Sequence, residues 1–231
     1  MYGKYIDSIM KNDLFKGIAK EAIMEMLACL QPAVYKAKKN DFIAMTGSSF
    51  NGIGIILHGE AIVIKENAAG KRVVMTYLMQ GDMYGEMFAF SSLEDWPVSV
   101  QALSDCVVIQ LSKGKIIGTC DHACSWHQSL IMNLMSIISE KALFLNKKVE
   151  YLSIKSMRGK LGKYFLEQSK RAGSNFFILP MNRGELADFL NVSRPSMSRE
   201  MGRMRDEGVI EFHRSAVKII DMEALKDMLE D

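Results

Sequence analysis

The stretch that most constrains this chain is residues 182–205, NRGELADFLNVSRPSMSREMGRMR. It reads as two short helices joined by a tight turn. Asn182 can cap the first helix, and Glu185, three residues later, can return the hydrogen bond as a capping box. Leu186, Ala187 and Leu190 form one apolar face, with the small Ala187 where a second helix must pass closely. Asn191 tolerates the left-handed backbone needed to leave a helix, Val192 plugs the corner, and Ser193 is a ready cap for the next helix. Met197, Met201 and Met204 then recur at helical spacing and should face inward, leaving Arg194, Ser196, Arg199 and Arg203 on the remaining surface. Reading double-stranded DNA through the major groove needs such a surface. An arginine fork bonds two acceptors of a guanine, and residues near the helix N-terminus reach base edges first. An amphipathic helix pair with merely solvated arginines shows the same spacing, so the surrounding sequence has to decide.

The charge distribution favours DNA. The net charge of +2 is small, but over residues 152–220 basic side chains outnumber acidic ones by about six, while residues 221–231 are strongly acidic. A chain of 231 residues with 48% hydrophobic and 24% charged residues has ample core for one or two globular domains. No apolar run approaches the roughly 20 residues that cross a bilayer, and the N-terminus lacks the apolar core of a signal peptide. The expectation is a cytoplasmic protein with no membrane partner, whose four cysteines remain thiols.

Residues up to about Leu30 look helical, with Leu14, Ile18, Ile23, Met26, Leu27 and Leu30 at helical spacing and Pro32 ending the run. From Ala33 the period changes to short segments rich in valine, isoleucine and aromatics, at 34–37, 42–45, 54–57, 61–65, 73–78 and 107–111. The sequence Ala68-Ala69-Gly70-Lys71 suits a hairpin turn between two of them. A long helix follows over 128–153, free of glycine and proline. Ile131, Ile138, Leu145 and Leu152 repeat every seven residues, Leu134, Ala142 and Val149 fill companion positions, and Lys141 interrupts the seam. Such a stripe needs a partner, either the protein's own β-rich domain or a second copy. A further helix from Ser156 to Arg171 buries Leu161, Tyr164, Phe165 and Gln168, and residues 176–179 form a short strand. After the two-helix motif, Gly208 stops the second helix. Residues 209–212 and 217–220 then pair across His213, Arg214 and Ser215 as the wing of a winged helix-turn-helix, with Arg214 and Lys218 placed for phosphate contacts. Asp221 caps a last acidic helix.

The order and spacing of Gly47, His58-Gly59-Glu60, Gly70-Lys71, Gln80-Gly81-Asp82 and Gly85-Glu86, followed by the winged motif, resemble the Crp/Fnr transcription regulators over nearly the whole chain. The resemblance implies an α+β protein. It would consist of an N-terminal cyclic-nucleotide-binding-like β-roll of jelly-roll type that senses an effector (1–126), a long dimerisation helix (127–153) and a C-terminal winged helix-turn-helix (154–231). It also implies a homodimer, an inverted-repeat operator and RNA polymerase as a partner. The effector pocket then falls on Gly85, Glu86, Trp96 and Pro97, with Leu145 and Asn146 near it. In nucleotide-binding members, an Arg-Ser pair takes the phosphate where this chain has Trp96 and Pro97. Losing that cation and hydroxyl argues against cyclic AMP, since charged hydrogen bonds are worth about 1.5–3 kcal/mol each. Trp96 is either a flat surface for a neutral small molecule or ordinary core.

The N-terminal cysteine array that carries the iron–sulfur cluster of the oxygen-sensing branch is missing. Cys120, His122, Cys124 and His127 offer a metal or redox set, but their spacing fits no common zinc pattern, and a structural loop or helix start is the simpler reading. On the DNA side, the resemblance places Arg194, Ser196 and Arg199 at base- or phosphate-contacting positions and Arg183 at a phosphate-contacting one. Pro195 stands where several members carry a base-reading glutamate, and Glu200 occupies a position usually apolar. The expected function is a DNA-binding regulator under a small-molecule or redox effector. The alternative is a ligand-binding module acting on another protein. No phosphate-loop, nucleophile-elbow or metalloprotease motif supports an enzyme.

Overall fold

The computed structural model describes residues 2–49, 51–67, 70–118 and 125–229. The chain divides into two compact units, Met1–Lys141 and Ala142–Asp231.

The first unit opens with four short helical pieces rather than one run: a 3₁₀ turn at Tyr2–Tyr5, α1 (Ile6–Met10), a second 3₁₀ turn at Asp13–Phe15, and α2 (Lys20–Leu30). The breaks have local causes. The Asn12 side chain accepts from the Leu14 N–H and donates to the Gly81 carbonyl at 2.7 Å, and Gly17 takes a left-handed φ of +75°. The apolar residues of the helical pattern, Leu14, Ile18, Ile23, Met26, Leu27 and Leu30, are nevertheless all buried.

Eight strands follow: β1 (Ala33–Ala37), β2 (Phe42–Ala44), β3 (Gly52–His58), β4 (Ala61–Glu66), β5 (Arg72–Leu78), β6 (Met83–Tyr84), β7 (Ser99–Ala102) and β8 (Cys106–Ser112). They form two antiparallel sheets ordered β1-β8-β3-β6 and β2-β7-β4-β5. Alternation along β3 organises the unit. Ile53, Ile55 and Leu57 join α1, α2 and two leucines of the long helix, Leu130 and Leu134, whereas Ile56 faces the second sheet with Val108, Val63, Val100 and Ala102. β4 and β5 pair as the predicted hairpin, but Ala68 and Ala69 of its turn lie outside the described residues. The period-2 reading misses β6 and β7. The first has only two residues before Gly85 turns left-handed at φ +94°, and the second is four residues of mixed polarity, SVQA. Two short helices, α3 (Glu86–Ala89) and α4 (Lys113–Ile117), complete this part.

Helix α5 runs from Ser125 to Ser153, a few residues longer at its start than the periodicity indicates. One seam assignment changes. Leu134 is buried in the first unit's core at 4% exposure, while Met135, seven residues before Ala142, stands 58% exposed. The exposed apolar ridge is Met135, Leu145, Val149 and Leu152, with Ile138 half-buried. With the exposed Ala142 between Ile138 and Leu145, the spacing alternates three and four residues, as in a coiled-coil seam.

The second unit continues with α6 (Met157–Ala172), β9 (Phe176–Ile178), α7 (Arg183–Leu190), α8 (Arg194–Asp206), β10 (Ile210–His213), β11 (Ala216–Ile219) and α9 (Met222–Asp227). The three strands form one sheet in the order β10-β11-β9. Leu161, Tyr164 and Phe165 of α6 meet Leu186, Leu190, Met197, Met201 and Met204 in a single core. Each predicted cap is in place: Asn182 with Glu185 as a capping box, Asn191 left-handed at φ +53°, Ser193 accepting from the Ser196 N–H, and Asp221 capping α9. The wing turn is Arg214-Ser215, since His213 pairs with Ala216.

Candidate nucleic-acid interface and effector pocket

In α8, Met197, Met201 and Met204 are fully buried, so the opposite side of the helix is left to polar groups. Arg194, Arg199 and Arg203 are exposed there. Arg199 is held in place: its guanidinium donates to the Ser196 hydroxyl at 2.9 Å, and that hydroxyl is 2.8 Å from Ser193 Oγ, the helix cap. The Ser193–Ser196–Arg199 chain therefore fixes a forked cation in the first two turns, where a recognition helix meets base edges.

Arg183, Arg194 and Arg214 share the walls of an open cleft between the start of α7 and the wing. Arg183 is more embedded than a simple phosphate contact requires. Its guanidinium stacks over Phe212 at 5.0 Å, donates to the Arg214 carbonyl at 3.1 Å and touches Met201 Sδ. Burial lowers its pKa from the usual arginine value. It ties the helix pair to the wing, whereas Arg214 and Lys218 are exposed on the wing itself.

A residue absent from the sequence reading holds α8 from behind. Arg158, on α6, donates through Nε to Glu200 Oε1 at 2.7 Å and through its two terminal nitrogens to Glu207 at 2.7 and 2.8 Å. Glu207 and Glu200 raise the Arg158 pKa, and Arg158 in turn lowers that of Glu207. Glu200, whose side chain is only 13% exposed, also pairs with Arg203 at 3.3 Å. The polar residue at a usually apolar position is thus the inner half of a clamp between two helices. Arg203 leans toward that clamp rather than standing alone on the DNA-facing side.

In the first unit, Gly85, Glu86 and Trp96 line one cavity of about 190 Å³. Pro97 is not among its lining residues, and Leu145 and Asn146 are exposed on α5 in the second unit. The walls come from Met75, Leu78, Met83, Phe88, Val98 and Val100. Trp96 is 3% exposed and meets Tyr84 and Phe88 edge-to-face, with centroids 6.3 and 5.4 Å away. It is therefore both core and pocket wall, which joins the two readings the sequence left open. Tyr84 crosses β3 over Gly54, where a Cβ would lie 2.0 Å from the phenol ring. Burial pushes the Tyr84 hydroxyl up to about 12, against a lowering by its Gln110 hydrogen bond.

Glu86 is buried at 4% exposure and accepts from the Lys141 ammonium at 2.5 Å. Its second oxygen, Oε2, has no hydrogen-bond partner among the described residues. Lys141, read from the sequence as an interruption of the helix seam, instead supplies the pocket's cation. Only the irregularity at 141 signalled it, because its partner lies 55 residues away. His127 is a buried structural group whose Nε2 is 2.7 Å from the Ile116 carbonyl, while Cys120, His122 and Cys124 lie outside the described residues. Among the described residues no group of three potential metal ligands converges, and no helix is long and apolar enough to cross a membrane.

Residues 35–122 match the family described as the cyclic nucleotide-binding domain, and residues 159–228 match the Crp-like helix-turn-helix domain. The chain is 20% identical over 190 residues to the cAMP-activated global transcriptional regulator CRP of Salmonella typhimurium, covering 80% of this chain and 89% of that one. It is 22% identical over 189 residues to the transcriptional activator protein FnrA of Stutzerimonas stutzeri, with 80% and 75% covered. Among solved structures, the catabolite activator protein of Thermus thermophilus shares the fold with a TM-score of 0.54 at 17% identity, over 95% of this chain and 99% of that one. These relatives are regulators rather than enzymes. With a β-roll, a winged helix-turn-helix and both family matches in one chain, the protein belongs to the Crp/Fnr family of DNA-binding transcription regulators.

Proposed function

We propose that the chain acts in the cytoplasm as a homodimeric, effector-responsive regulator that reads an inverted-repeat operator, with RNA polymerase as its downstream partner. The observation that carries this reading is the Ser193–Ser196–Arg199 chain at the start of α8, which presents an ordered guanidinium opposite the buried methionine face. Arg194, Arg199 and Ser196 take the base-reading side, Arg214 and Lys218 the flanking phosphates, and Arg183 positions the wing. The exposed ridge Met135, Leu145, Val149 and Leu152 supports residues 127–153 as the dimerisation helix, pairing two copies about a twofold axis. Two recognition helices so related would enter successive major grooves, giving half-sites about one helical turn apart. The effector occupies the cavity beside Glu86 and shifts the protein between two arrangements according to its affinity for each.

Selection from a randomised duplex pool tests the DNA reading. The expected product is an inverted repeat, and Arg199→Ala should cost roughly 1–3 kcal/mol and relax preference at one base pair. A pool that yields no preferred sequence would favour a ligand-binding module acting on another protein. A uniform loss across all sequences in Arg199→Ala would mean that this residue holds only phosphate.

A further inference from the structure

The cavity beside Glu86 specifies the kind of molecule it takes. We infer that the ligand is a small, uncharged, single-ring aromatic carrying one hydrogen-bond donor, of the phenol class, with the donor bonded to Glu86 Oε2. The inference rests on the reading of this cavity as the effector site. It follows from size, wall chemistry and one unmet hydrogen bond.

Size comes first. An apolar protein cavity of about 150 Å³ holds one benzene. At about 190 Å³ the space matches a ring with a short substituent. The walls come next. Three methionines, Met75, Met83 and Met87, surround the space with Phe88 and Trp96. Thioethers are polarizable, mobile and favourable against ring edges, so such a wall adapts to an aromatic body better than an aliphatic one does.

The polar end decides the substituent. Glu86 is the buried carboxylate of the cavity, and its Oε1 is already engaged by the Lys141 ammonium. Oε2 is buried without a hydrogen-bond partner among the described residues, a position that a ligand O–H or N–H would satisfy. A ligand anion would meet that carboxylate, and the cation lining the cavity is already committed to Glu86. The Trp96 indole in the cavity wall carries no charge. A neutral donor on a ring fits each of these facts; a cyclic nucleotide brings a ribose hydroxyl that suits Oε2, but also a phosphate anion for which the cavity holds no uncommitted cation.

The test uses the full chain carrying Trp126→Phe, which leaves Trp96 as its one indole. Phenol and toluene have nearly the same shape and differ in the donor. Phenol should change Trp96 fluorescence saturably with one site per chain, and toluene should bind roughly ten- to a hundredfold more weakly, the ratio that a hydrogen bond to a charged acceptor supplies. Cyclic AMP should bind more weakly than phenol. Glu86→Leu should abolish the phenol–toluene difference; if that variant does not fold, the ratio in the parent protein suffices. Equal affinity for phenol and toluene, no saturation by phenol, or tighter binding of cyclic AMP would each overturn the inference. Operator binding is measured separately by fluorescence anisotropy. Protein that binds its operator while ignoring phenol sinks only the ligand class, whereas protein that saturates with phenol but finds no operator sinks the proposed function and leaves the ligand class standing.

Discussion

Replacing Arg158 with methionine should loosen the recognition helix without touching its DNA-facing side. The substitution keeps much of the aliphatic stem and removes the fork that joins α6 to Glu200 of α8 and to Glu207, the residue that caps its C-terminal end. Glu200 is the half that matters energetically, because its side chain is 13% exposed and would retain only Arg203 at 3.3 Å, itself 70% exposed. A hydrogen bond to a charged group contributes about 1.5–3 kcal/mol, and removing one partner of an inner ion pair leaves an under-compensated charge. Arg158 is 31% exposed and Arg203 offers partial relief, so the lower end applies, about 1.5–2 kcal/mol. For a unit of this size that corresponds to roughly 6–16 °C in melting temperature. Calorimetry of the full chain should show the drop in the transition of the second unit. A double-mutant cycle with Glu200→Gln should show coupling, since the two side chains are in contact. The effect has a pH signature. Arg158 holds the Glu207 carboxyl below the ordinary glutamate value of 4.5, so its contribution is present above that pH and is lost as pH falls through the depressed folded value. The gap between wild type and R158M should narrow in acid. An unchanged melting temperature with additive single substitutions would refute the clamp.

Three further outcomes follow from the geometry. Gly52→Ala places a Cβ 2.2 Å from the Leu111 carbonyl oxygen on the neighbouring strand, so it should cost about 1–3 kcal/mol in the first unit and leave the transition of the second unchanged. Leu145→Glu together with Val149→Glu puts charge into the exposed ridge of α5; sedimentation should show monomers, and a variant that stays dimeric would place the interface elsewhere. Alkaline difference spectroscopy of wild type against Tyr84→Phe should assign one tyrosine that ionises near 12 rather than 10. Because the folded value is raised, the associated stability is intact below pH 10 and is lost as pH rises toward 12.

The motif at 182–205 was legible because its parts are local. Asn182 with Glu185, Asn191, and Ser193 with Ser196 act over three or four residues, and the methionine spacing already defines which face is buried. The strands of the roll were legible where they were long and β-branched, and illegible at β6 and β7, whose stability comes from pairing with β3, β2 and β4 rather than from their own composition. The broken N-terminal helices were hidden for a similar reason. Periodicity records that Leu14 and Ile23 face inward, but not that Asn12 bonds across to Gly81 and interrupts the helix.

The two sites divide along the same line. Sequence by itself determined the helix-turn-helix, the wing and the candidate base-reading arginines, and it pointed to Gly85, Glu86 and Trp96, which line one cavity. Only the tertiary structure decided that Lys141 belongs to Glu86, that Arg158 and Glu200 form one clamp, and that methionines wall the cavity. Hydrogen bonds closed within a helical turn depend on backbone geometry that a short segment specifies alone. Contacts between residues 42 and 55 positions apart exist only once the intervening chain has packed.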